Sequence, residues 1–232
     1  MTSIIFFRSD DSITSYTDGS AYDEFGIFRQ KASKTSVLLH QPALVATRGS
    51  GNAGNLYDAF AGRHPTYDAL CDGMADDLVQ ACTHAHLLFG DPINLQVTAG
   101  GFSDRTGRFE AQTMFFSLDD EGKKRPNALI AGPVDSTMVD PWPDETLMEA
   151  ICAKHVAAGD GVGDEFVIEV MEAQRATKYT LHPPPNNHTK GCLVGAFIQK
   201  TVLMRDDAYT RIIHRWPDEI GQKLGRELEP DK

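Results

Sequence analysis

Residues 2–18 read Thr-Ser-Ile-Ile-Phe-Phe-Arg-Ser-Asp-Asp-Ser-Ile-Thr-Ser-Tyr-Thr-Asp, and Gly19 follows. The first seven are a short run rich in β-branched and aromatic side chains, which suits a strand. Ser9-Asp10-Asp11 interrupts the run with turn formers, residues 12–17 alternate, and Asp18-Gly19 closes the second run. Two such runs around a short polar connection predict a β-hairpin. The hairpin would lay Thr2, where its first strand begins, beside Asp18, where its second strand ends.

Outward from this pair, residues 25–29 and 34–40 give further strand-like pieces, and Gln41-Pro42 turns the chain into the apolar strand 43–47. A glycine-rich stretch, Arg48-Gly-Ser-Gly-Asn-Ala-Gly54, follows. The period then changes. Leu56, Ala59 and Phe60 share one face of a short helix closed by Gly62 and Pro65. Thr66 is a fitting N-cap for a long helix to about Phe89, in which Leu70, Met74, Leu78, Ala81, Ala85 and Leu88 keep helical spacing. Strands are expected at 93–100, 108–118 and 127–131, with Gly132-Pro133 breaking the last. Pro143-Asp144-Glu145 places carboxylates at the positive end of a helix running through Val156, and a second helix is expected over 164–177. Pro183 to Asn187 reads as a rigid, extended loop, strands 191–204 and 209–216 as a late hairpin, and the segment from Pro217 as a polar, charged tail that frays at its end. Strands, two helices, strands, two helices and strands suit two packed sheets with helix pairs outside: an α+β, four-layer αββα sandwich in one domain over residues 1–232.

Composition excludes several function classes. The net charge of −11 opposes nucleic-acid binding, which needs clustered Lys and Arg against phosphates. No apolar run is long enough for a spanning helix, and the N-terminus lacks a basic region before Asp10 and Asp11, so no membrane partner and a cytoplasmic location are expected. Cys71, Cys82, Cys152 and Cys192 are far apart and read as reduced core thiols. His84 and His86 are spaced to face different sides of a helix, and residues 49–54 lack the phosphate-loop pattern, so neither a metal nor another cofactor is expected.

Thr2, Asp18 and Lys34 form the candidate chemistry. A threonine hydroxyl is a poor nucleophile near neutral pH and needs a base, which a free α-amine supplies once Met1 is removed. Lys34 would contribute positive charge that lowers the hydroxyl and amine pKa values, and Asp18 would hold that lysine. Lys31 is the alternative if the loop shifts. Backbone N–H groups of Arg48, Gly49, Ser50 and Gly51, following a buried strand and opening toward a helix, are candidate oxyanion and substrate-binding donors.

With Thr2 behind the initiator, Asp18 and Lys34 at these spacings, the glycine turn after residues 43–47 and the Asn52–Phe60 segment, the sequence resembles the proteasome β-subunit family. The likeness is strongest to the bacterial peptidase subunit, HslV, that partners an AAA+ unfoldase. The resemblance implies an N-terminal-nucleophile hydrolase fold, threonine-type hydrolysis of peptides or amides, ring or other homo-oligomeric assembly, and an AAA+ unfoldase as a possible partner. It also implies a serine supporting the nucleophile, for which Ser136 or Asp135 stands in place. The sequence departs from the family pattern near Gly191, where Asn187 to Lys190 replace an expected Asp and Ser. Two alternatives stand beside hydrolysis of peptides: a catalytically silent scaffold or assembly protein, and a small-molecule amidase on the same fold.

Overall fold

A computed structural model describes residues 2–90, 92–119, 121–125, 130–134, 136–159, 161–181 and 190–226. The N-terminal hairpin forms as its alternation predicts: β1 (Ile4–Arg8) pairs antiparallel with β2 (Ser12–Asp18), Ile4 opposite Thr17 and Arg8 opposite Ile13. The chain continues through β3 (Ser20–Tyr22), β4 (Phe28–Lys31), β5 (Thr35–Leu38) and β6 (Ala43–Gly49). Helices α1 (Gly51–Ala61) and α2 (Tyr67–Phe89) follow, then β7 (Ile93–Ser103), β8 (Arg108–Leu118), β9 (Ile130–Pro133) and β10 (Thr137–Asp140). Helices α3 (Glu145–Ala158) and α4 (Asp164–Ala176) precede β11 (Tyr179–Thr180), β12 (Lys190–Gly191), β13 (Phe197–Met204) and β14 (Ala208–Arg215).

These strands make two five-stranded antiparallel sheets, ordered β10-β1-β2-β13-β14 and β5-β6-β7-β8-β9, and the small pairs β3-β4 and β11-β12. Strand alternation decides what each face meets. Ile5 and Tyr16 point to Met148 of α3 and to Phe166, Val170 and Met171 of α4. Their neighbours Ile4, Phe6 and Ile13 turn the other way and pack with Leu44, Ala46, Phe109 and Ala111 of the second sheet. Ala43 and Val45, on the opposite face of β6, pack with Leu70, Met74 and Leu78 of α2. Each fully buried Ile, Leu or Phe contributes about 1.5–3 kcal/mol relative to exposure.

The Thr66 cap read from the sequence is in place. Thr66 Oγ1 accepts the Ala69 N–H at 3.1 Å at the start of α2, and Gly90 ends it in the left-handed region. Asp144 caps α3 by accepting from Thr146 and Leu147 N–H groups. Among the described residues, no helix is long and apolar enough to cross a membrane.

Three expectations change. The strand expected over 25–29 begins only at Phe28, as β4, because Asp23 to Ile27 form the turn that joins it to β3. Residues Ile130–Pro133 extend through Gly132-Pro133 because β9 is an edge strand, where a missing N–H costs no ladder bond; residues 126–129 lie outside the described ones. The run 191–204 is not one strand: residues 192–196 leave the ladder before β13. The polar segment from Pro217 is packed as far as residue 226: Phe28 N–H bonds to Gln222 O at 2.8 Å and Gly221 N–H to Phe28 O at 2.8 Å. Its end, residues 227–232, lies outside the described residues. The loop 183–187 also lies outside the described residues.

Candidate active site

Asp18 is the centre of the site. Its carboxylate is fully buried and accepts five hydrogen bonds. Oδ1 receives the Ser3 N–H at 2.9 Å and Lys34 Nζ at 2.9 Å. Oδ2 receives the Ser20 N–H at 3.1 Å, Ser20 Oγ at 2.5 Å and the Gly195 N–H at 3.3 Å. The hairpin register supplies the first of these: Ser3 lies across from Asp18 just beyond the Ile4–Thr17 pair, and its carbonyl accepts the Asp18 N–H.

Lys34 comes from the other sheet. Its carbonyl accepts the Thr47 N–H at 3.0 Å, one step before the Thr35–Ala46 pair that opens β5, and the neighbouring Ala32 N–H bonds to Gly19 O at 3.0 Å. The Asp18–Lys34 ion pair therefore links the two sheets, with Lys34 only 9% exposed. Burial pulls the Lys34 ammonium below the usual lysine range, the Asp18 charge opposes this, and the charge of Arg48 adds to the lowering. Lys31 instead pairs with Ser20 in the β3–β4 hairpin and is exposed, so Lys34 is the lysine brought to Asp18.

Thr2 is buried, 4% exposed, and immediately precedes the anchored Ser3. Ser3 Oγ donates to Gln174 Oε1 at 2.5 Å, and Gln174 Nε2 donates to Pro141 O at 2.5 Å. The start of β1 is thus fixed by β2, by α4 and by the chain leaving β10. Met1 lies outside the described residues.

Arg48 contributes its side chain. Its guanidinium donates to Gln96 Oε1 at 3.3 Å and forms an ion pair with Asp140, the residue opposite Ile4 in β10. This is a second charged link between the sheets at the same end of β1. Gly49 has φ +119°, and a Cβ there would stand 2.0 Å from Asn94 O. The Ser50 N–H is donated to that same Asn94 O at 2.8 Å, so Ser50 is removed from the candidate oxyanion donors. Gly51 begins α1. Tyr22 lies close enough for the charges of Asp18 and Arg48 to act on it; burial, reinforced by Asp18, raises its phenol well above the usual range, so it stays protonated at neutral pH.

Ser136 is a correction. It is exposed, and its carbonyl accepts the Arg8 N–H at 2.9 Å. Because β10 runs antiparallel to β1, Asp140 and Pro141 reach the Thr2 end while Ser136 sits at the Arg8 end, on the order of 20 Å away at strand spacing. Asp135, His188 and the stretch 187–189 lie outside the described residues. Lys190 and Gly191 pair with β11, and the glycine that touches Asp18 is Gly195.

Ser3, Ser20, Asp140, Gln174 and Gly195 were not foreseen. Only Gly195 carried a sequence signal: a glycine inside an apolar strand-like run marks a bulge or a close backbone approach. A Cβ on Gly195 would lie 2.6 Å from Leu224 Cδ2.

No family model and no curated protein matches the chain. Solved structures do. The chain superimposes on a Gly-1 mutant of Anbu from Hyphomicrobium sp. strain MC1 with a TM-score of 0.56 and 14% identity, covering 98% of this chain and 92% of that one. Anbu from Yersinia bercovieri, described as an ancestral beta-subunit, gives 0.54 at 10% identity over 90% and 86% of the two chains. The fold is proteasome-like. A second Hyphomicrobium Anbu structure agrees, with a TM-score of 0.50 and 16% identity over 97% of this chain and 91% of that one. At these identities the likeness is one of fold, and it does not single out the HslV type.

Proposed function

We propose that this proteasome-like chain is a threonine-type N-terminal-nucleophile hydrolase of peptide or amide bonds, active once Met1 is removed. The observation that carries the reading is the buried Asp18–Lys34 pair, whose carboxylate accepts the N–H of Ser3, the residue next to Thr2. In this reading Thr2 Oγ attacks the carbonyl and its proton passes to the free α-amine, which gives it to the leaving nitrogen as the C–N bond breaks and the acyl ester forms. Water then hydrolyses the ester, releasing the acid and restoring the Thr2 hydroxyl. Lys34 stabilises the developing alkoxide, and Asp18, saturated by five donors, fixes the position of that ammonium. Of the turn after β6, Gly49 and Gly51 remain as backbone donors for the oxyanion; the Arg48 N–H, like that of Ser50, faces β7, where Arg48 pairs with Gln96. We take the layer order to be α1–α2, second sheet, first sheet, α3–α4 in one domain, as the three apolar clusters support, and the protein to work as a homo-oligomer.

The test is direct. Untagged protein is analysed by intact mass and then treated with a threonine-reactive peptide epoxyketone. A mass lacking Met1, and an adduct on the Thr2 amine and hydroxyl that Thr2→Ala abolishes, are expected. Retained Met1 with no adduct would sink the proposal and favour the second reading, a silent scaffold. That reading draws on two features: the residues on either side of Gly195, Val194 and Ala196, are apolar and buried in apolar clusters, and Ser136 is remote.

A further inference from the structure

The turn that reaches Asp18 is itself held by a buried ion pair that no step of the proposed chemistry uses. Gly195 donates its N–H to Asp18 Oδ2, and the next residue, Ala196, has φ +64°, the left-handed region that a residue with a Cβ adopts only when its surroundings enforce it. The enforcing group is Asp218. Its Oδ2 accepts the Ala196 N–H at 2.8 Å, and its two oxygens take Arg175 Nη1 at 3.1 Å and Nη2 at 2.7 Å. Arg175 Nη1 also donates to Val194 O at 2.6 Å, so both sides of Gly195 are gripped by one pair. Both side chains are buried, 1% and 2% exposed.

Asp218 belongs to the segment after β14, and that segment is anchored to the same site from another side. Residues Gly221, Gln222 and Leu224 exchange backbone bonds with Gly26 and Phe28, at the hairpin that leads toward Lys34. Trp216 N–H bonds to Ala196 O at 3.1 Å, closing the turn.

We infer that Asp218, held by Arg175, is a positioning residue: it fixes Ala196 in its left-handed conformation so that the Gly195 N–H meets the Asp18 carboxylate. The inference deepens the reading of the Asp18–Lys34 site given above and rests on it. Its consequence is that the polar C-terminal segment, remote in sequence from Thr2, sets the electrostatics of the site. With one donor fewer, Asp18 holds the proton on Lys34 more strongly, and a loosened turn admits water to the pair; both effects raise the lysine's titration midpoint. Among the described residues, the charged side chains that act on Lys34 are Asp18 and, from β6, Arg48, and the substitutions below alter neither them nor the Thr2 α-amine.

The Lys34 Cε resonance, assigned by its loss in Lys34→Arg, is titrated by carbon-13 NMR in the full chain and in Asp218→Asn. A second variant, Arg175→Gln with Asp218→Asn, leaves no buried charge alone and decides the matter if the single variant does not fold. An upward shift of the Lys34 midpoint is expected, and Ala196→Gly in the same background, which relieves the positive φ, moves the midpoint back toward wild type. A folded variant with the wild-type midpoint, or a shift that Ala196→Gly leaves untouched, overturns the inference. Lys34 titrates whether or not any substrate is turned over, so a failed hydrolase test and a failed positioning test are separate results.

Discussion

At the scale of single residues, neighbouring glycines in the turn after β6 have opposite meanings. Gly49 combines φ +119° with a backbone oxygen where a Cβ would stand, whereas Gly51 begins α1 with open space around it. Gly49→Ala should destabilise the protein by about 3 kcal/mol, because the strain and the clash both fall on backbone. Gly51→Ala should stabilise it by about 0.5 kcal/mol through the unfolded chain. Urea denaturation of the two variants checks both signs. Lys34→Met should cost about 3 kcal/mol in the same measurement, since it leaves the buried Asp18 carboxylate with neutral donors alone. A cost within error of zero would show that the pair is not what holds the sheets together at this end.

Elements are positioned by ends more than by middles. The 23-residue α2 begins at Thr66, whose hydroxyl satisfies the Ala69 N–H, while Asp68 in its first turn accepts from Ser103 Oγ at 2.7 Å and the Arg105 N–H at 3.0 Å. Thr66→Ala should cost about 1 kcal/mol and lower the melting midpoint by about 2–4 °C, read by calorimetry. The hairpin, the caps and the long helices were legible because each is a local matter of period and polar punctuation. β10 was not, because Thr137–Asp140 is too short to show a period and is a strand only by pairing with β1. That pairing also moved Ser136 to the wrong end of the site.

Across the whole molecule, charge couples stability to pH through groups that join elements. Asp164, at the start of α4, accepts from Tyr16 Oη at 2.9 Å and Lys200 Nζ at 2.7 Å and pairs with Arg211. Its burial would raise the carboxyl pKa, but the bonds from Lys200 and Tyr16 and the charges of Lys200 and Arg211 outweigh this and hold it below the ordinary value. Asp68 is lowered as well: burial would raise it, but the bonds from Ser103 Oγ and the Arg105 N–H and the charge of Arg105 together outweigh this. Groups with depressed folded values stabilise the protein above their unfolded pKa, and that stability is lost as pH falls through the folded value. The urea midpoint should therefore be level from pH 5 to 7 and fall below about pH 4, and Asp164→Asn should flatten the fall. By itself the sequence determined the N-terminal hairpin, the helix pairs with their caps, and Thr2, Asp18 and Lys34 as the residues to watch, because turn chemistry, periodicity and residue type act over a few positions. Only the tertiary structure decided that Lys34 and not Lys31 meets Asp18, that Arg48 is tied to Asp140, and that Gly195 and Asp218 stand behind the site. Those pairings depend on antiparallel register between strands far apart in the chain, and a one-residue change of register, invisible in composition, would send each side chain to the other face.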